Sequence, residues 1–202
     1  MYRGRFTLCI LLLCLGCIIS GCEQRAIQAR VAHPPEMVEH IVRTPTATPT
    51  PSVVDNPARL LIPAIHVDAA IEQVGLRSDG DLDTPQDNPW NNVGWYNAGT
   101  RPGERGSSVI DGHLDRTGGA PAVFWDLRNV HVGDEVIVVM TSGKTVHFHA
   151  TNIAAYQPQE APLQGIFGDT GGNYLNLITC AGDWVPSQHQ MTLRMVVYTS
   201  LG

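Results

Sequence analysis

Beyond residue 22 this 202-residue chain has one cysteine, Cys180. The other four, Cys9, Cys14, Cys17 and Cys22, lie in the N-terminal segment. The body therefore has no intrachain disulfide, and a lone thiol cannot build a cysteine-rich zinc site. Lysine is just as scarce: Lys144 is the only one. After residue 22 all 19 acidic residues stand against 11 of the 13 basic ones, a formal charge of about −8. No basic stripe exists, which excludes nucleic acid or anionic lipid as a partner held by charge. No long stretch carries a 3.6-residue apolar stripe, and no internal repeat is visible. What remains is one modest domain that cannot be a helical bundle.

The N-terminus has the form of a leader. Arg3 and Arg5 precede an uncharged run from Phe6 to Cys22, 17 residues long, at the lower end of the roughly 17–25 that cross a bilayer. "ISGC", Ile19 to Cys22, resembles a bacterial lipoprotein box, in which the cysteine (here Cys22) is lipidated and becomes the new N-terminus. An uncleaved anchor helix and plain secretion are the alternatives. All three put the remaining chain outside the cytoplasmic membrane. Residues 23–57 read as a tether, because "RTPTATPTPSVVDNP" alternates Thr and Pro, fixing φ and removing backbone donors. Fully extended, such a segment reaches roughly 100 Å at about 3.1 Å per residue.

From residue 58 to 202 the pattern is all-β. "ARLLIPAIHVDAAI" has apolar runs broken by Pro63, and "GSSVIDGH" is a short strand ending at Gly112. "DEVIVVMTSGKTVHFHA" predicts a hairpin about a "TSGK" turn. "YLNLITC" and "LRMVVYT" are two further strands, and "PAVFWDL" (121–127) predicts a short helix. Short strands punctuated by glycine and proline imply a barrel or a sandwich.

On "YLNLITC" the period of two sends Leu175, Leu177 and Thr179 to one face, and Tyr174, Asn176, Ile178 and Cys180 to the other. Cys180 precedes "AGD", a turn signal, so it is expected at a strand's rim. A buried apolar filler and a nucleophile are equally compatible with that position. A nucleophile needs a proton partner or a cation. His113, in "VIDGHLD", follows a strand and a glycine; His189 lies close in sequence, in the loop "PSQHQ". Composition does not choose between them. His147 and His149 share a hairpin face opposite Val146, Phe148 and Ala150, with no third metal ligand evident. Arg194 heads the strand after the cysteine, and consecutive strands usually neighbour each other. Its guanidinium then serves an oxyanion near Cys180 or simply reaches solvent. "DGDLD" (79–83) has acids at calcium-loop spacing, but Thr84 stands where the loop needs glycine and Trp90 at its twelfth position. It is expected to be an acidic turn, and no metal or cofactor is expected.

"LITC", with an arginine heading the next strand and a "GH" at an earlier strand end, resembles the sortase family over roughly residues 58–201. "GWYNAGTRPGERGSSVIDGHLD" is similar to its histidine segment and "GDEVIVV" to its central strand; "VGWY", "PGE", "GHLD" and "PAVFWDL" resemble the class F type. The resemblance implies a closed eight-stranded β-barrel with one or two short helices and a Cys–His–Arg transpeptidase. By position Cys180 is then the nucleophile, His113 the proton partner and Arg194 the oxyanion or substrate stabiliser. Thr179, Trp184 and Asp115 are expected substrate contacts. Two small residues often follow the cysteine in class F; "AGDW" instead places Trp184 where the substrate loop begins.

The implied substrates are surface proteins bearing a Leu-Pro-Xaa-Thr-Gly-like sorting signal, with an amine acceptor such as a cell-wall precursor peptide. Membrane contact is expected through the N-terminus and the state is expected to be monomeric. Rival readings are an L,D-transpeptidase or other cysteine peptidase, and a non-catalytic surface-binding barrel. The first is disfavoured because no "SHGC" element occurs and His113 precedes Cys180, opposite to papain-like order.

Overall fold

The computed structural model describes residues 54–202. The leader, Cys22 and most of the tether lie outside the described residues.

Pro63 ends the first strand, β1 (Pro57–Ile62), in a single 3-10 turn. His66 then takes a left-handed φ of 57°, and the chain reverses into β2 (Val67–Val74). β3 (Val93–Tyr96) follows a long loop, and β4 (Gly106–Asp111) carries the glycine-histidine segment at its end. The predicted hairpin forms as β5 (Glu135–Met140) and β6 (Thr145–Tyr156), with Gly143 supplying a positive φ in the turn. A short helix α1 (Leu163–Phe167) precedes β7 (Asn173–Val185) and β8 (Gln190–Leu201).

The strands close into one barrel in the order β1-β2-β3-β4-β7-β8-β6-β5. β2 with β3 and β4 with β7 pair in parallel; every other pair is antiparallel. The interior is filled by one cluster in which Trp95, Phe124, Phe148, Leu175 and Leu177 are fully buried. A second, smaller cluster lies on the outer face. There α1 lays Ile166 against Val109 of β4 and Val196 of β8, flanked by Tyr96, Phe167, Ile178 and Tyr198. Asn176 points to this outer face too, and is buried because its Nδ2 donates to Ile166 O at 2.6 Å.

Two local expectations are corrected. "PAVFWDL" is not a helix: it is a run of turns leading to a 3-10 turn at Leu127–Asn129. Its amides are used elsewhere, Val123 N on Trp90 O at 2.9 Å and Phe124 N on His113 O at 3.0 Å, so no i→i−4 ladder starts. β7 also does not stop at Cys180. It runs on to Val185 through an irregularity between Ala181 and Trp184, where Gly182 takes φ +80°. A glycine read as a turn is here a bulge within a strand.

Candidate active site

The site is assembled by register. β4 and β7 run parallel with Asp111 opposite Ile178. Gly112 N continues the ladder to Ile178 O at 3.1 Å, and Thr179 Oγ1 donates to Gly112 O at 2.8 Å. The segment leading to His113 is therefore fastened to β7 just before Cys180. Gly112 cannot carry a side chain, since a Cβ would lie 2.7 Å from Phe124 Cδ2 and 2.9 Å from Val123 Cγ1. On the other side of β7, Cys180 and Arg194 are cross-strand partners. Their Cα atoms are then about 4.5–5.5 Å apart. The end of β4 and the paired β7 and β8 thus bring His113, Cys180 and Arg194 to one side of the barrel, where the β7–β8 hairpin runs on past them.

Cys180 is partly exposed and belongs to neither apolar cluster, so it is not a core filler. Arg194, the fifth residue of β8, is held by hydrogen bonds from Nη1 to Leu193 O (3.1 Å) and Met191 O (3.3 Å), and from Nη2 to Gln190 Oε1 (3.4 Å). A guanidinium has five N–H donors, so some remain for a ligand. Burial pushes the Cys180 thiol above its ordinary value; Arg194 pulls it back, and Asp115 and Asp111 push it up again. Burial also holds the His113 imidazole below its ordinary value, with Asp115 acting against it. The resting pair is accordingly neutral thiol and neutral imidazole.

The remaining sequence candidates separate clearly. Thr179 does not line the outer face: it is 4% exposed, points into the barrel and ties down the His113 segment. Asp115 lies close enough for its charge to act on both His113 and Cys180. Trp184 is 53% exposed on the β7–β8 hairpin beyond the bulge, and His189 stands edge-on to it with ring centroids 6.5 Å apart. His147 bonds Glu135 and Thr145 on the outside of the hairpin. In the acidic turn, Arg77 pairs with Asp79 and Asp81.

Sequence reasoning missed two residues. Trp90 packs beside His113, ring centroids 5.0 Å apart. Asp111, the last residue of β4, has an Oδ1 that is buried without a hydrogen-bond partner. The signal for Asp111 was present, a carboxylate following Val109 and Ile110 at the end of a strand, directly before the glycine-histidine pair.

The closed barrel has known relatives. Residues 60–202 match the family model described as Sortase domain. The chain belongs to the sortase family, whose members are cysteine transpeptidases. Among solved structures, sortase C-1 from Actinomyces oris is 24% identical with a TM-score of 0.57, covering 74% of each chain. A sortase D5 transpeptidase of Clostridium perfringens is 21% identical, TM-score 0.54, covering 73% of this chain and 79% of its own. A lid mutant of sortase A from Corynebacterium diphtheriae is 19% identical, TM-score 0.57, covering 75% and 73%. At these identities the likeness speaks for the fold. No curated protein matches the chain.

Proposed function

We propose that this chain is an extracytoplasmic sortase of the class F type, held at the membrane through its N-terminus, with Cys180, His113 and Arg194 as its catalytic residues. The observation that carries this reading is the shared rim: Cys180 and Arg194 as cross-strand partners, and the His113 segment fastened to β7 beside them.

In the reactive minority of molecules the Cys180 proton has passed to His113, and the thiolate attacks the carbonyl carbon after the threonine of a Leu-Pro-Xaa-Thr-Gly-like signal, forming a C–S bond and a tetrahedral oxyanion. Arg194 stabilises that oxyanion with its remaining N–H donors. The C–N bond then breaks, and the His113 imidazolium gives its proton to the leaving amine. The acceptor amine attacks the thioester, neutral His113 takes its proton, and the thiolate leaves. Asp115 tunes both titrating groups, and Trp184 contributes a substrate contact from the hairpin. A single thiol suits this chemistry, because a neighbouring cysteine would trap the nucleophile as a disulfide.

The deciding experiment incubates the protein with a sorting-peptide library and triglycine, reading products by mass spectrometry. Transfer should vanish in Cys180→Ala and His113→Ala with melting little changed, and persist in His189→Ala. Loss in His189→Ala with activity in His113→Ala would mean the histidine is misassigned. Activity that survives Cys180→Ala would end the enzyme reading in favour of a binding barrel. Labelled palmitate incorporated by wild type but not by Cys22→Ala would support the lipoprotein leader; equal label would remove it.

A further inference from the structure

Glu72 on β2 is an acceptor for four donors from one loop. Oε2 takes Gln86 N (2.7 Å) and Asp87 N (3.0 Å); Oε1 takes Asn88 N (3.2 Å) and Asn92 Nδ2 (2.8 Å). Burial works against its charge, yet these bonds outweigh it and keep the carboxyl below its ordinary range. Three successive amides converging on one carboxylate fix the path of residues 86–92. That loop presents Trp90 to His113, with ring planes 44° apart. The same two segments are joined twice more. Trp90 O accepts Val123 N while the adjacent Phe124 N bonds His113 O, and Arg116 Nη2 donates to Asn91 Oδ1 at 3.1 Å.

We propose that Trp90, held in place by the Glu72 carboxylate, is a positioning residue for His113; this rests on the transpeptidase reading above. The histidine side chain is half-buried two residues beyond the end of β4, and no side chain among the described residues hydrogen-bonds its ring. An aromatic wall on one side restricts its rotamers, and an aromatic face also favours the imidazolium that must form during the reaction. The titratable and charged groups on the elements round His113 are Asp111, Asp115 and Arg116 of its own segment, Cys180 of β7, Arg194 of β8 and Asp87 of the Trp90 loop. Of these, Asp115 is the one whose charge acts on it.

The test separates proton delivery from general damage by changing the leaving group. The full-length protein is given a Leu-Pro-Xaa-Thr-Gly-type peptide amide, and a thioester with the same acyl part ending at threonine. The amide needs a proton delivered to its leaving amine; the thioester expels a stable thiolate and does not. Acylation is read as release of the leaving group. Trp90→Ala should lose about 10–100-fold in kcat/KM on the amide, the scale of a misplaced catalytic group, and less than about 3-fold on the thioester. Trp90→Phe should recover most of the amide rate. Glu72→Gln, which leaves Trp90 intact but weakens its support, should change the amide-to-thioester ratio in the same direction with an unchanged circular-dichroism melt. An unchanged ratio in both Trp90→Ala and Glu72→Gln overturns the proposal, as does an equal loss on both substrates. A wild-type protein acylated by neither substrate refutes instead the transpeptidase reading on which it rests.

Discussion

Replacing Asp111 by asparagine should make this protein more stable at neutral pH, by an amount that grows with pH. The Asp111 carboxyl lies over Gly94 of β3, where a Cβ would come within 2.5 Å of its Oδ1 and 2.9 Å of the Val74 methyls. The residue as a whole is partly exposed, but Oδ1 is sealed and has no partner. Burial, reinforced by the charge of Asp83, pushes its pKa from 3.8 up to about 8. Below about pH 4 the carboxyl is protonated in both the folded and the unfolded chain, and it costs nothing. Between 3.8 and about 8 the unfolded chain has ionised while the folded one keeps its proton. The folded state then binds more protons, so stability falls as pH rises, by about 1.4 kcal/mol per pH unit. By pH 7 the accumulated loss is up to about 4 kcal/mol, and it levels off above pH 8. Asparagine keeps the shape and never ionises. Its own unpaired amide costs on the order of 1 kcal/mol, but that cost does not vary with pH. Urea melts of wild type and Asp111→Asn at pH 5, 6, 7 and 8 measure the difference directly. Parallel stability curves, with no growth in the gap from pH 5 to 8, would show that Asp111 is ionised in the folded protein and sink the reasoning.

Three further outcomes follow from the same geometry. Arg194→Lys should lose about 10²–10³-fold in acyl transfer with an almost unchanged melt, because a point charge cannot replace the planar fork; near-normal rates in Arg194→Ala would make it structural. The pH profile of kcat/KM should be a broad bell. Burial moves the histidine limb below 6.5 and the thiol limb above 9.0, so the plateau widens as the thiolate–imidazolium share falls below the roughly 1% that ordinary values of 6.5 and 8.5 give; a narrow peak with both limbs inside pH 6.5–8.5 would contradict it. Gly94→Ala should cost about 1–3 kcal/mol by overpacking Asp111 and Val74, and a denaturant melt at pH 6 would show it.

The parts of the fold that a period of two controls were legible. Leu175, Leu177 and Thr179 turn inward as the alternation requires, and the "TSGK" hairpin forms where its turn residues stand. What was lost depended on partners distant in sequence. "PAVFWDL" has a helical composition, but the carbonyls of Trp90 and His113 take its amides first. Gly182 reads alike in a turn and in a bulge, and only pairing of Trp184 with Met191 tells them apart. That the His113 segment is fastened to β7 beside Cys180 depends on the parallel pairing of β4 with β7, which no local pattern reveals. The face of Thr179 was legible, but its hydroxyl bond to Gly112 O was not, since that partner is 67 residues away in sequence. The contact of Trp90 with His113 left no local trace at all.

The barrel has a polarity with consequences for reach. Asp55 and Asn56, just before β1, are sewn to Thr141 and Ser142 at the β5–β6 turn, and Arg101 adds a bond to Asn56. Those residues sit at the pole where β4 begins, whereas His113, Cys180 and Arg194 sit at the pole where it ends. Any pull from upstream of Asp55 is therefore borne first by that pole, across bonds that run to the hairpin rather than to the β4–β7–β8 ladder. Like a buoy moored at its keel, a barrel held through its N-terminus as proposed would turn Cys180 away from the mooring. Drag on a protein joined to Cys180 would enter at β7 and have to cross the barrel before it loads the bonds of Asp55 and Asn56.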